Sequence, residues 1–179
     1  MQAVVVTEFG GRDVIEVEDR ETPEPGPGEV RIDVKAVGVN FADVMQRRGH
    51  YQGGPEPPYV PGMEAAGTID AVGEGAGREV GDRVVAMVAG GAYAEYVIAP
   101  AMALFDVPES VSFAEAAGFP VQFLTAHHCL HDWGGLEPDE RVLIHAAAGG
   151  VESSGGIGLV LVATGETFVA LGLFLWRAE

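Results

Sequence analysis

Residues 30–36 read Val30-Arg31-Ile32-Asp33-Val34-Lys35-Ala36, apolar and charged side chains alternating with a period of two. A strand with one face on a core and the other in water demands that pattern, and the strand is predicted over Val30–Val39. On its N-terminal side, Thr22–Glu29 carries Pro23, Pro25, Pro27, Gly26 and Gly28. Such a stretch is neither helix nor central strand, and is predicted as a connection. On the C-terminal side, strands are predicted at Glu64–Val72, Arg83–Val88 and Tyr93–Ala99, with another at Gln2–Thr7. The turn-rich Gly73–Asp82 and Gly90-Gly91 divide them. Many short strands parted by Gly and Pro point to a small, partly open barrel or sandwich.

Helices come later. Asn40 stands where it would cap a short helix over Phe41–Arg48. Ser112-Phe113-Ala114-Glu115 has the spacing of a capping box, opening a helix that stops near Pro120. Gln122–Trp133 is the longest helical pattern, ended by Gly134-Gly135. The chain then turns at Pro138-Asp139 into a strand, Arg141–His145, that runs into Ala146-Ala147-Ala148-Gly149-Gly150-Val151. A buried strand entering a Gly-rich turn delivers backbone N–H groups to a place where a dinucleotide pyrophosphate fits. The fold class is therefore mixed β and α/β: a β-barrel domain over residues 1–122, then a helix and the opening of a nucleotide-binding segment over residues 123–179.

Composition narrows the classes. A hydrophobic share of 47% is that of a folded chain, which argues against disorder. Cys129 is the only cysteine, excluding an intramolecular disulfide framework or a multi-cysteine metal site. Twenty-seven acids oppose ten bases, for a net charge of −17, and Lys35 is the only lysine. That surface repels nucleic acid and anionic membranes. It suits a salt-loving host, where ions screen the self-repulsion, or else an ordinary acidic protein. No basic leader precedes the first strand, so the expected location is the cytoplasm.

Four motifs occur in order: Val37-Gly38-Val39-Asn40-Phe41-Ala42-Asp43, Pro61-Gly62-Met63-Glu64-Ala65-Ala66-Gly67, Gly81-Asp82-Arg83-Val84 and His145-Ala146-Ala147-Ala148-Gly149-Gly150-Val151. Across residues 1–151 the chain closely resembles the quinone oxidoreductase branch of the medium-chain dehydrogenase/reductase superfamily, whose members include zeta-crystallin-like and synaptic-vesicle-protein-like proteins. The resemblance implies a GroES-like domain joined to a Rossmann-type domain, with NADPH between them reducing quinones or other α,β-unsaturated carbonyls (enones) by hydride transfer. The zinc alcohol dehydrogenases of the superfamily place Cys where Asn40 stands and His where Met63 stands. An amide and a thioether make a poor zinc site, so no metal is expected.

The resemblance also names site residues, each with a plainer role beside it. Asn40 faces nicotinamide and substrate, its amide available to a carbonyl gaining negative charge; it is equally an N-cap. Asp43 lies near the site or supports the first helical turn. Tyr51 contacts substrate or forms a pocket wall, its ordinary pKa near 10 arguing against free acid–base work. Thr125 meets the nicotinamide side, or is a buried hydroxyl bonded to a helix carbonyl. Ala148, Gly149, Gly150 and Val151 hold the pyrophosphate. Glu64 is expected to be architectural. His127 and His131, four apart on one helix, lack the pattern of a metalloprotease pair. Cys129 is expected in a core.

Beyond Val151 the resemblance ends. Glu152 opposes a pyrophosphate by charge, and no acid stands near Ala170–Leu173 for a ribose hydroxyl, which fits NADP better than NAD. A single βαβ unit is predicted, with strand 141–146, helix near 157–164 and strand 167–174. Its apolar faces and open edge would need cover. Three arrangements follow: a truncated reductase, a piece that associates with itself or another chain through this segment, or a membrane segment. A non-catalytic GroES-like binding module is the rival to an enzyme.

Overall fold

The computed structural model describes residues 1–138, 140–144, 160–164 and 167–171. They fall into two units, Met1–Pro120 and Val121–Glu179. The first contains β1 (Gln2–Val6), β2 (Ile15–Asp19), β3 (Glu29–Val37), α1 (Phe41–Arg47), β4 (Glu64–Val72), β5 (Arg83–Met87), β6 (Tyr96–Pro100), β7 (Leu104–Asp106) and α2 (Phe113–Ala117). Five strands form an antiparallel sheet in the order β6-β3-β4-β5-β7, and β1 pairs with β2 beside it.

The alternation in β3 sorts its two faces. Val30 and Ile32 are fully buried, packed with Ile69, Val84, Val97 and Leu104. Each such aliphatic side chain contributes about 1.5–3 kcal/mol on burial. Outward-facing Arg31 grips Asp70 of β4, Nε to Oδ1 at 2.9 Å and Nη2 to Oδ2 at 3.1 Å. Its Nη1 reaches the Pro23 carbonyl at 3.0 Å, which ties the proline-rich connection to the sheet. In β4, Ala65 joins the first core and Ala66 a second one under α2, formed with Val85, Val107, Ala116 and Ala117. Covered on both faces, the first half of that strand, Ala65-Ala66-Gly67, reads as a run of small residues rather than an alternation.

Three details differ from the sequence-based expectation or refine it. β6 begins at Tyr96 rather than Tyr93, because the Tyr93 carbonyl and the Glu95 N–H are taken by β1: Val4 N–H donates to the Tyr93 carbonyl at 2.8 Å and Glu95 N–H to the Gln2 carbonyl at 3.0 Å. The exposed hairpin partner β2 goes unpredicted; Ile15 and Val17 remain largely in solvent, so no buried face marks it. The capping box at Ser112 forms as expected, Glu115 N–H reaching Ser112 Oγ and Ser112 N–H reaching Glu115 Oε2.

The boundary falls at the start of α3 (Pro120–His127), which opens on a proline, the residue suited to the first helical position. The helix passes into a π-helical turn over His128–Trp133, where a single helix over Gln122–Trp133 was predicted. Cys129 is buried, and burial pushes its thiol pKa up. β8 (Arg141–Ile144), β9 (Val160–Thr164) and β10 (Thr167–Leu171) pair antiparallel in sequence order. The helix predicted near 157–164 is corrected by β9. Val160-Leu161-Val162 favours a strand, and two residues between β9 and β10 permit a hairpin but no parallel crossover.

Candidate active site

Asn40 ends the segment leaving β3 and caps α1, with an extended backbone at φ −110° and ψ 152°. Asp43, at the third helical position, accepts the Asn40 N–H on Oδ2 at 2.8 Å, and Asp43 N–H donates to the Asn40 carbonyl at 3.1 Å. The acid also suits the positive end of the helix. At the other end, Gly49 takes φ +71°. Its N–H bonds the Gln46 carbonyl and the His50 N–H bonds the Met45 carbonyl, both at 2.9 Å. This closing pattern requires a left-handed residue, and glycine adopts it without strain. Buried Arg47 extends Nη1 to the Gly10 carbonyl at 3.0 Å, which anchors the helix to the β1–β2 connection.

The Asn40 side chain turns inward. Its Nδ2 donates to Oε1 of Glu64 at 2.8 Å, and Glu64, the first residue of β4, is fully buried. Gly38 makes that approach possible. A Cβ there would collide with the Glu64 carboxylate and lie 2.6 Å from the Ala117 carbonyl oxygen. Asp43 is only 6% exposed, and its Oδ2 also accepts the Tyr93 hydroxyl at 2.8 Å. The Tyr93 pKa is pushed well above the ordinary phenol value, first by burial, then by its bond to Asp43 and the charges of Asp43 and Glu64. Tyr59 is raised too, by burial and then by Asp43, against a smaller opposing effect of Arg47. Asp43 Oδ1 and the Tyr59 hydroxyl oxygen are buried without a protein hydrogen-bond partner among the described residues.

Asn40 itself is half-buried, between Val39 and Phe41, which are 73% and 68% exposed. Val39 and Tyr93 also border an open apolar groove of about 530 Å³ lined by Val4, Val17, Val34 and Val37. Thus a fixed amide stands beside exposed apolar side chains, an arrangement suited to a flat ligand carrying one or two polar groups.

Of the expected site residues, Asn40 and Asp43 are brought together by hydrogen bonds. Tyr51 follows α1 in a turn, half-buried, with its carbonyl accepting Gly54 N–H at 3.1 Å. Thr125 lies half-buried on α3 in the second unit. Ala148, Gly149, Gly150 and Val151 lie outside the described residues. Glu64 and Tyr93 were absent from the expected site. An acid immediately before the small apolar run Ala65-Ala66-Gly67 was the available signal for Glu64; Tyr93, fifty residues from Asp43, had none. In the second unit the His127 and His131 rings stand 4.7 Å apart, and His128 Nδ1 contacts Asp132 Oδ2 at 2.7 Å. Among the described residues, no group of three or more His, Cys, Asp or Glu side chains is placed to hold a metal ion.

Residues 26–109 match the alcohol dehydrogenase GroES-like domain. The chain is 43% identical over 175 residues to the mouse synaptic vesicle membrane protein VAT-1 homolog, covering 96% of this chain and 42% of that protein. It is 38% identical over 176 residues to the quinone oxidoreductase of Lama guanicoe, covering 96% and 52%. Among solved structures, the quinone oxidoreductase of Thermus thermophilus, determined alone and with NADPH, superposes with a TM-score of 0.76 at 41% identity, over 87% of this chain and 48% of that one. The chain spans about half the length of the curated relatives it matches.

Proposed function

Because the chain belongs to the zinc-independent quinone oxidoreductase branch of the medium-chain dehydrogenase/reductase superfamily, we propose that it carries the substrate-side half of an NADPH-dependent reductase of quinones and other α,β-unsaturated carbonyls. The observation that carries this proposal is the Asn40 amide, anchored on buried Glu64 and flanked by exposed Val39 and Phe41. NADPH, when bound, supplies the hydride.

The chain's own residues do the rest. Val39 and Phe41 offer apolar surface that excludes water from one side of a flat ring. Asn40 orients a polar ring substituent, and an amide already fixed in place before binding needs no rearrangement during reaction. Tyr51 orients the substrate from the turn after α1. Asp43, spent on the helix cap and Tyr93, acts as a positioning residue that keeps Asn40 in place. Residues 1–122 form the substrate-side domain, and Thr125 with the stretch Ala148–Val151 completes the cofactor side within residues 123–179. We place the protein in the cytoplasm, capable of self-association through the segment after Val151. Among the described residues no helix is long and apolar enough to cross a membrane.

The rival reading is a non-catalytic GroES-like module. The open groove beside Tyr93, apolar along Val4, Val17 and Val34, favours a small apolar ligand or partner. Titrating the chain with NADPH while following cofactor fluorescence separates the two. Saturable binding, with quinone-dependent NADPH oxidation, is the expected result. Absence of binding at about millimolar cofactor, where even weak binding of roughly −4 kcal/mol registers, would leave the module.

A further inference from the structure

We infer that Glu64 is a positioning residue that selects one of the two orientations of the Asn40 amide, leaving Oδ1 and a single Nδ2 hydrogen as the groups Asn40 offers a ligand. The two ends of an amide are nearly identical in shape, so sterics alone does not choose between them. Glu64 does. Its Oε1 stands 2.8 Å from Nδ2, and a carboxylate accepts but does not donate, so the amide nitrogen is held inward. The choice is built into the fold at three places. Glu64 is fully buried at the head of β4, Asn40 is fixed as the cap of α1 by Asp43, and Gly38 lacks the Cβ that would displace the carboxylate.

The orientation has a chemical consequence. A hydrogen bond from Nδ2 to a carboxylate draws the amide toward its charge-separated resonance form, which makes Oδ1 a stronger acceptor and the remaining Nδ2 hydrogen a weaker donor. Asn40 therefore favours a ligand group that donates, such as a carboxamide NH₂ or a sugar hydroxyl, over a bare carbonyl. This consequence rests on the function proposed above. The orientation itself does not.

Asn40 is the only asparagine in the chain, so labelling with side-chain ¹⁵N-asparagine gives a single side-chain amide signal in the full protein without ligand. One Nδ2 proton is expected downfield of its partner, exchanging with solvent about tenfold more slowly than a free asparagine amide, the effect of one ordinary hydrogen bond. In Glu64→Gln, whose own amide can pair with Asn40 either way, that protection is expected to fall at least severalfold and the signal to double or broaden. Two equivalent, rapidly exchanging protons in the wild type would overturn the inference, as would an unchanged signal in a folded Glu64→Gln. Should that variant fail to fold, the wild-type exchange rate decides alone. With NADPH added, Glu64→Gln is expected to weaken binding about tenfold, a loss of one such bond. Failure of the wild type to bind NADPH while the amide stays protected would remove the proposed function and keep the positioning role. A changed amide with unchanged NADPH affinity would overturn the ligand preference.

Discussion

Replacing Gly38 by alanine puts one methyl group into the most crowded point beneath the candidate site. The new Cβ would overlap the Glu64 carboxylate and lie 2.6 Å from the backbone oxygen of Ala117. The Ala117 backbone belongs to α2 and packs in the second core, so the Glu64 side chain must yield. Overpacking of this kind costs about 1–3 kcal/mol. Moving Glu64 also breaks its bond to Asn40 Nδ2, and hydrogen bonds to charged groups contribute about 1.5–3 kcal/mol. The total is about 2.5–6 kcal/mol, against about 5–15 kcal/mol for a whole domain. At about 4 °C per kcal/mol for a unit of this size, Tm falls by at least ~10 °C. Gly28→Ala is the control. Gly28 has φ +76°, and nothing lies within 4 Å of the place its new methyl group would take. Alanine there costs only the left-handed backbone penalty of about 1–2 kcal/mol. Urea unfolding followed by far-UV circular dichroism measures both variants. Tryptophan fluorescence is a poor reporter, since Trp133 and Trp176 both lie beyond Pro120. A Gly38→Ala protein no less stable than Gly28→Ala would refute the reasoning.

Alkaline titration tests the buried tyrosines. Tyr59 and Tyr93 keep their protons more tightly in the folded chain than in the unfolded one, so their contribution to stability is complete below the unfolded value near 10. It declines as pH rises above about 10, because only the unfolded chain then gains by ionising. Phenolate absorbance from these two of the four tyrosines should appear with unfolding; ionisation of all four near pH 10 in an intact fold would contradict that. The net charge of −17 predicts that Tm rises by several degrees between roughly 0.1 and 1 M salt, as the Debye length shrinks from about 10 to 3 Å. A flat or falling Tm would mean that the acids do not repel one another appreciably.

The residues differ in how plainly they announce their places. Arg31, Asp33 and Lys35 alternate with Val30, Ile32 and Val34, and a local period of two suffices to assign a half-buried strand whatever its neighbours are. Ser112 with Glu115, and Asn40 with Asp43 at the head of α1, act within one turn of chain, so local chemistry reveals them. The strand over β9 was misjudged because Val160–Thr164 is almost wholly apolar, and a short apolar run carries no period to separate helix from strand. Asp43 was visible as a first-turn acid, yet its burial and its bond to Tyr93 depend on chain fifty residues away.

By itself, then, the amino-acid order determined the strand-rich first half, the caps of α1 and α2, and the presence of an amide at position 40, because each follows from neighbours a few residues apart. Only the tertiary structure decided which atom of that amide is spent. The pairing of β3 with β4 sets the chain leaving β3 beside the head of β4, and the bare α-carbon of Gly38 lets the Glu64 carboxylate reach Asn40. No local pattern encodes a contact between residues 24 positions apart; it exists because two strands pair in one register.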